Sequence, residues 1–168
     1  MTTTTLTPMT LPTLAATPAL LRALLGALPE AVANEARDPG GWSVRDCLAH
    51  LLDRAPMQRR RVEAMLAEQH PALMNEDETA SLEASGFRLL PVAVLLDRFE
   101  ALRVADVERY RALTAADLAR TGEHSVAGLT TVAEMLNHVA YHDLDHLRQA
   151  AATLAAVAHE GRGAMQIF

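Results

Sequence analysis

The chain has 168 residues, half of them hydrophobic but only 4% aromatic and 21% charged, enough for one domain with its own core and too few for two. A core drawn mainly from Leu, Ala and Val favours helices packed on helices. All 15 basic residues are Arg, which excludes Schiff-base and Walker-type lysine chemistry; the formal charge of -6 argues against a nucleic-acid backbone as partner, and the single Cys excludes an internal disulfide framework and a thiolate-only zinc site.

Residues 1–10 are threonine-rich and read as a mobile lead-in to a single domain over 11–168. Pro12, Pro18 and Arg22 interrupt the apolar stretch from Leu11 to Leu28, and no basic residue precedes it as in a secretory signal. No segment has the length of a membrane span, so a cytoplasmic protein without membrane partners is expected. Thr17-Pro18 reads as the cap and first turn of a helix carrying Leu20, Leu21, Leu24, Leu25 and Leu28, ending near Pro29. After the loop Asp38-Pro39-Gly40-Gly41, Ser43 with Asp46 three residues on predicts a capped start for a second helix. Its apolar face runs from Val44 to Leu66, and Pro56 inside it predicts a kink or a split. From His70-Pro71 to Pro91 the periodicity fades across the acidic run Asn75-Glu76-Asp77-Glu78. About 20 residues exceed what two adjacent antiparallel helices need, so this is a crossover along the bundle or a working loop. A third helix spans Pro91 to about Leu113, with Asp106 in its apolar stripe, and Thr130 or Thr131 with Glu134 starts a fourth that ends near His159. No strand signal competes, and an all-α four-helix bundle with a long connection between helices two and three is the expected fold.

Seven histidines are the chemical surplus of this composition. His138, His142 and His146 share one stripe of the fourth helix, within about 80° of one another. His146 falls inside the apolar face, His142 at its border and His138 outside it. A pair four residues apart presents two nitrogens to one point, and a third must come from elsewhere. His50 is the one remaining histidine on a core-facing part of a helix, since His70, His124 and His159 fall at element ends or in loops. Three neutral imidazoles with an open position suit Zn²⁺ or Ni²⁺. The same spacing also occurs among surface and core histidines that hold no metal, and periodicity does not separate the readings. Cys47, one turn before His50, reads as a small buried hydrophobe. Gln149 and Arg54, one turn beyond His146 and His50, are candidates to line the site and contact a polar or anionic ligand, with a solvated role as the alternative for Arg54. Asp106 and Asp143 fall within apolar arcs and need an arginine, a subunit contact or water.

The segment GGWSVRDCLAHLLD on the second helix and the segment TTVAEMLNHVAYHDLDHLRQ on the fourth resemble the two distinctive motifs of DinB-like proteins, the DinB/YfiT superfamily. The resemblance covers about residues 12 to 158 and implies an up-down-down-up bundle. Carried over residue by residue, it implies His50, His142 and His146 as metal ligands and gives His138 no ligand counterpart; Pro56 departs from the family pattern. It also implies a divalent transition metal, zinc or nickel, and a small-molecule substrate. Two chemistries follow from it. One is that of thiol-dependent transferases and isomerases, such as mycothiol-dependent maleylpyruvate isomerases and bacillithiol transferases, with a low-molecular-weight thiol as cofactor. The other is metal-dependent hydrolysis. A role in stress response or detoxification and a homodimer are further expectations of the resemblance. The rival reading is a non-catalytic metal-binding bundle acting in storage, sensing or assembly.

Overall fold

Four long helices carry the fold: α1 (Thr10–Leu25), α3 (Val44–Ala67), α5 (Val92–Arg111) and α7 (Val132–Glu160). Between them lie three short helices, α2 (Glu30–Glu35), α4 (Glu78–Ser85) and α6 (Ala115–Leu118). The computed structural model describes residues 2–166; Met1, Ile167 and Phe168, at the outer ends of the expected lead-in and domain, lie outside the described residues. No described helix is long and apolar enough to cross a membrane. Local chemistry starts two of the long helices where the sequence predicts. Ser43 accepts from the Asp46 amide while the Asp46 carboxylate accepts from the Ser43 amide, and Thr131 and Glu134 repeat this reciprocal cap at α7.

Side-chain pairs between helices give their directions. Arg22 of α1 meets Asp97 and Glu100 of α5, while Leu14 joins the same apolar cluster as Val107, so α1 and α5 are antiparallel. Arg59 meets Asp106 and Arg109 meets Glu63, so α3 and α5 run parallel. Thr10 bonds Asn137 at the start of α7, and His50 faces His142 while Met65 clusters with Val132; α7 is therefore parallel to α1 and antiparallel to α3. The order is up-down-down-up. Because α3 and α5 point the same way, the chain between them must travel back along the bundle, which is why this connection is long. It holds β1 (Ala72–Leu73), α4 and a 3₁₀ turn at Phe87–Leu89.

Several elements differ from the sequence reading. The first helix begins at Thr10, not at Thr17, and runs through Pro18. Its buried side is Thr10, Thr13, Leu14, Thr17, Pro18, Leu21 and Leu25, whereas Leu20 is 46% exposed. Thr17 donates its hydroxyl to the Thr13 carbonyl, so threonines occupy a buried face that a count of apolar residues misses. The second helix neither splits nor stops at Pro56 but continues to Ala67, packing over 24 residues outweighing one lost backbone bond. A three-stranded sheet, unforeseen from the sequence, joins β1 in parallel to β2 (Thr121–His124), which pairs antiparallel with β3 (Gly128–Thr131). Strands of two and four residues are too short to show alternation. The threonine-rich start is hydrogen-bonded to the head of α7: the Thr3 amide donates to Glu134 and the Thr7 amide to Asn137.

The core has two apolar halves. One gathers Leu21, Leu25, Leu48, Leu52, Leu95 and Phe99; the other Leu14, Val62, Met65, Val107, Leu136 and Val139. Charged side chains lie between them in sequence on three of the helices. Arg103 bonds Asp143 at 2.7 Å and approaches Asp106 at 3.5 Å, and Arg59 closes on the other oxygen of Asp106. Arg103, Asp106 and Asp143 are at most 1% exposed. Of the three partners open to the two aspartates from the sequence, arginine is the one found, and the layer of two cations and two carboxylates is formally neutral.

Candidate metal centre

The up-down-down-up order lays the N-terminal half of α3 against the middle of α7, and this juxtaposition brings together His50, His142 and His146. One nitrogen of each lies within 4.8 Å of the others. The Nε2 atoms of His50 and His142 are 3.0 Å apart, and ring centroids are separated by 4.5 Å for His50 and His146 and 4.6 Å for His142 and His146. Donors about 2.1 Å from one ion and at right angles to each other stand about 3.0 Å apart, so the pair fits a shared metal without rearrangement. His50 is completely buried and the other two are partly so.

Burial, then the neighbouring His146 and Arg54, pushes the His50 pKa down to about 3; burial, His146 and His50 push that of His142 to about 2. Burial also lowers His146. All three are therefore neutral at pH 7, as ligation requires. In this state the 3.8 Å approach of the Glu78 carboxylate to His50 Nε2 is not an ion pair.

The surroundings orient one ring more than the others. His146 Nδ1 lies 2.8 Å from Gln149 Oε1, and the Gln149 amide donates to Asp38. An amide oxygen only accepts, so Nδ1 carries the proton and Nε2 of His146 faces the site with its lone pair. The Gln149 donor, ahead of backbone N–H groups including that of Trp42, holds the Asp38 carboxyl below its ordinary value. Trp42 stacks on His146 at 6.0 Å and meets His50 edge-on at 5.1 Å. Gly41 takes φ +84° where the Asp38–Trp42 loop turns, a conformation that favours glycine. Among the described residues the buried Nδ1 atoms of His50 and His142 have no hydrogen-bond partner, so of the three rings it is His146 that is oriented through its second nitrogen.

The three histidines carried over by resemblance are thus brought together. Gln149 is spent on His146 and Asp38 and serves as a support for the ring. Arg54 is not solvated: at 1% exposure it is held by Asp53, and its Nη1, without a hydrogen bond among the described residues, lies 3.6 Å from Glu76. His138 is exposed, its ring 6.1 Å from that of His142. Cys47 is buried and its thiol is pushed up to about 12 by burial and by Asp38 and Asp46, so it is inert packing at neutral pH. Sequence reasoning missed three neighbours of the site. Asp38 belonged to a turn and Trp42 to a recognised motif, so local signals for both existed. Glu78 stood in an acidic run with nothing to distinguish it from Glu76.

An up-down-down-up helical bundle with three neutral imidazoles converging between two of its helices defines a candidate metal-binding protein of the all-α class. The profile of the DinB superfamily matches residues 13–150, and the chain belongs to that superfamily. A protein of Oceanobacillus iheyensis, named provisionally as a metal-dependent hydrolase, is 29% identical over 108 residues, which are 64% of this chain and 62% of the relative. One from Bacillus mycoides with the same provisional name is 30% identical over 109 residues, 64% of this chain and 61% of its own length. The chain thus matches about three fifths of the length of these relatives. YfiT from Bacillus subtilis, described provisionally as a metal-dependent hydrolase with an unusual four-helix bundle topology, superposes with a TM-score of 0.82 over 89% of this chain and 86% of its own. At 21% identity that likeness concerns the fold.

Proposed function

We propose that the protein is a metal-dependent enzyme acting on a small molecule, with hydrolysis as the leading reaction and transfer of a low-molecular-weight thiol as the second reading. The observation that carries this is the convergence of three neutral imidazole nitrogens within 4.8 Å. His50 and His142 bind through Nε2, and His146 through the Nε2 that its bond to Gln149 leaves free. A divalent ion in such a set, zinc or nickel being best suited, acidifies a water or thiol bound to it toward neutral pH and polarises a carbonyl. With the Cys47 thiol pushed up to about 12, this cysteine offers no nucleophile, which favours one that enters from solution. Glu78, 56% exposed and 3.8 Å from His50 Nε2, offers Oε2 to take the proton that such a nucleophile gives up. Trp42, packed against His50 and His146, keeps water from that side of the rings.

Metal titration of protein freed of ions by chelation, followed by turnover assays on carboxylic esters, amides and thiol addition to an electrophile, tests the reading. One tightly bound ion per chain, lost in His142→Ala, and metal-dependent turnover of any of these classes are expected. Stoichiometric metal with no turnover across the panel would establish the non-catalytic metal-binding bundle instead. No bound metal would sink both.

A further inference from the structure

Beyond His142 along α7, a cavity of about 410 Å³ opens between the second half of α3, the β2–β3 hairpin and the first turns of α7. Its walls mix apolar surface from Leu129 and Met135 with Arg61, His124 and His138. His138 connects it with the metal centre, its ring lying 6.1 Å from that of His142.

Two polar groups of this cavity, His124 and Arg61, offer donors. The Nδ1 of His124 accepts the backbone N–H groups of Val126 and Ala127, both at 3.2 Å. That fixes the tautomer: burial, Arg61 and His138 hold the ring below its ordinary value, so at pH 7 it is neutral and Nε2 carries the proton. The Arg61 guanidinium is steadied by one bond to the Met74 carbonyl at 2.6 Å. Among the described residues no carboxylate lies within ion-pair distance of it, and Glu76 and Glu78 act on it only at longer range. The carboxylate on the wall, Glu134, is already committed, accepting from the Thr3 amide at 2.7 Å and from the Thr131 amide at 2.9 Å. A partly buried cation without a close counterion, a fixed N–H donor and apolar walls form a site for an anion with a hydrocarbon body.

We propose that this cavity is a carboxylate-recognition subsite, in which Arg61 and His124 Nε2–H take the carboxylate of a small organic acid while Leu129 and Met135 cover its hydrocarbon part. The rest of the molecule extends past His138 toward His142, so the subsite names the substrate class of the proposed enzyme as small carboxylate-bearing molecules. The direction of that extension rests on the metal-dependent reading; the anion site itself does not.

Binding of benzoate and of its uncharged amide, benzamide, to the metal-free protein tests it, by calorimetry and by nitrogen-detected NMR of the His124 ring. Saturable benzoate binding with a shift of the His124 Nε2 resonance is expected, with benzamide at least about tenfold weaker. Arg61→Gln should weaken benzoate at least about tenfold, and Ala127→Trp, on an exposed turn at the cavity wall, should block it while leaving the guanidinium in place. His142→Ala, also metal-free, should bind benzoate within about twofold of wild type. Absence of saturable benzoate binding, equal binding of the amide, or loss in His142→Ala with retention in Arg61→Gln and Ala127→Trp would each overturn the proposal. Failure of the metal titration above would leave these outcomes unchanged, so the two readings fail separately.

Discussion

Acidifying the metal-free protein from about pH 7.5 to about pH 5 should destabilise it through the histidines of the centre. In the unfolded chain each imidazole titrates at about 6.5, whereas in the folded chain His50 is pushed to about 3 and His142 to about 2, mainly by burial. Below about 6.5 the unfolded state therefore takes up protons that the folded state refuses. The stability from these two groups is present in full above that pH and is lost as the pH falls toward their folded values. Each contributes a loss of about 2 kcal/mol by pH 5, or about 4 together. Asp143 works in the opposite sense. Its burial raises the carboxyl to about 6, so the folded state takes its proton first and regains about 1 kcal/mol over the same interval. The expected net fall is about 3 kcal/mol, increased by His146, whose shift has the same sign as those of the other histidines. Urea unfolding followed by circular dichroism, with a chelator present, measures it. His142→Gln removes one titrating ring and should shrink the pH-dependent fall by about 2 kcal/mol. A wild type as stable at pH 5 as at pH 7.5, or a variant whose fall equals that of wild type, would refute the claim that these rings are buried neutral.

Other perturbations probe the supports of the site and the fold. Asp106→Ala leaves Arg103 buried with one carboxylate fewer and should cost about 3–5 kcal/mol in chemical denaturation. Gln149→Leu removes the acceptor for His146 Nδ1 and should weaken zinc binding about 10–100-fold by calorimetry, with the helical circular dichroism unchanged. Gly122→Ala puts a methyl 2.9 Å from Leu73 Cδ1 and 3.1 Å from Met65 Cγ, both residues being buried, and should lower stability by about 1–3 kcal/mol in urea. Zinc at about 1,000 times its dissociation constant should stabilise the wild type by about 4 kcal/mol and leave His50→Ala near its metal-free value in a thermal melt.

The features legible in the sequence are those whose physics is local. Ser43 with Asp46 and Thr131 with Glu134 close their caps within one turn, so they mark helix starts whatever the rest of the chain does. His142 and His146 share a face because a helix repeats every 3.6 residues. The absence of lysine and of a second cysteine likewise excluded chemistry without reference to any fold.

What the tertiary structure decided is every relation between distant segments. The 3.0 Å approach of His50 to His142 joins residues 92 positions apart and depends on α3 lying antiparallel to α7. Periodicity could place each on a helix edge but not make the edges meet. The same holds for Arg103, whose partner Asp143 is 40 residues away, and for Glu78, which an acidic run conceals until the crossover carries α4 against α3. Gln149 looked like a ligand contact because it shares the stripe of His146, and became a support because Asp38 occupies its amide. Threonines on the inner face of α1 and strands of two to four residues carry no periodic signal strong enough to be read. Helical spacing and capping are properties of neighbouring residues, whereas metal geometry and charge pairing depend on how helices pack, and packing is decided by the whole chain at once.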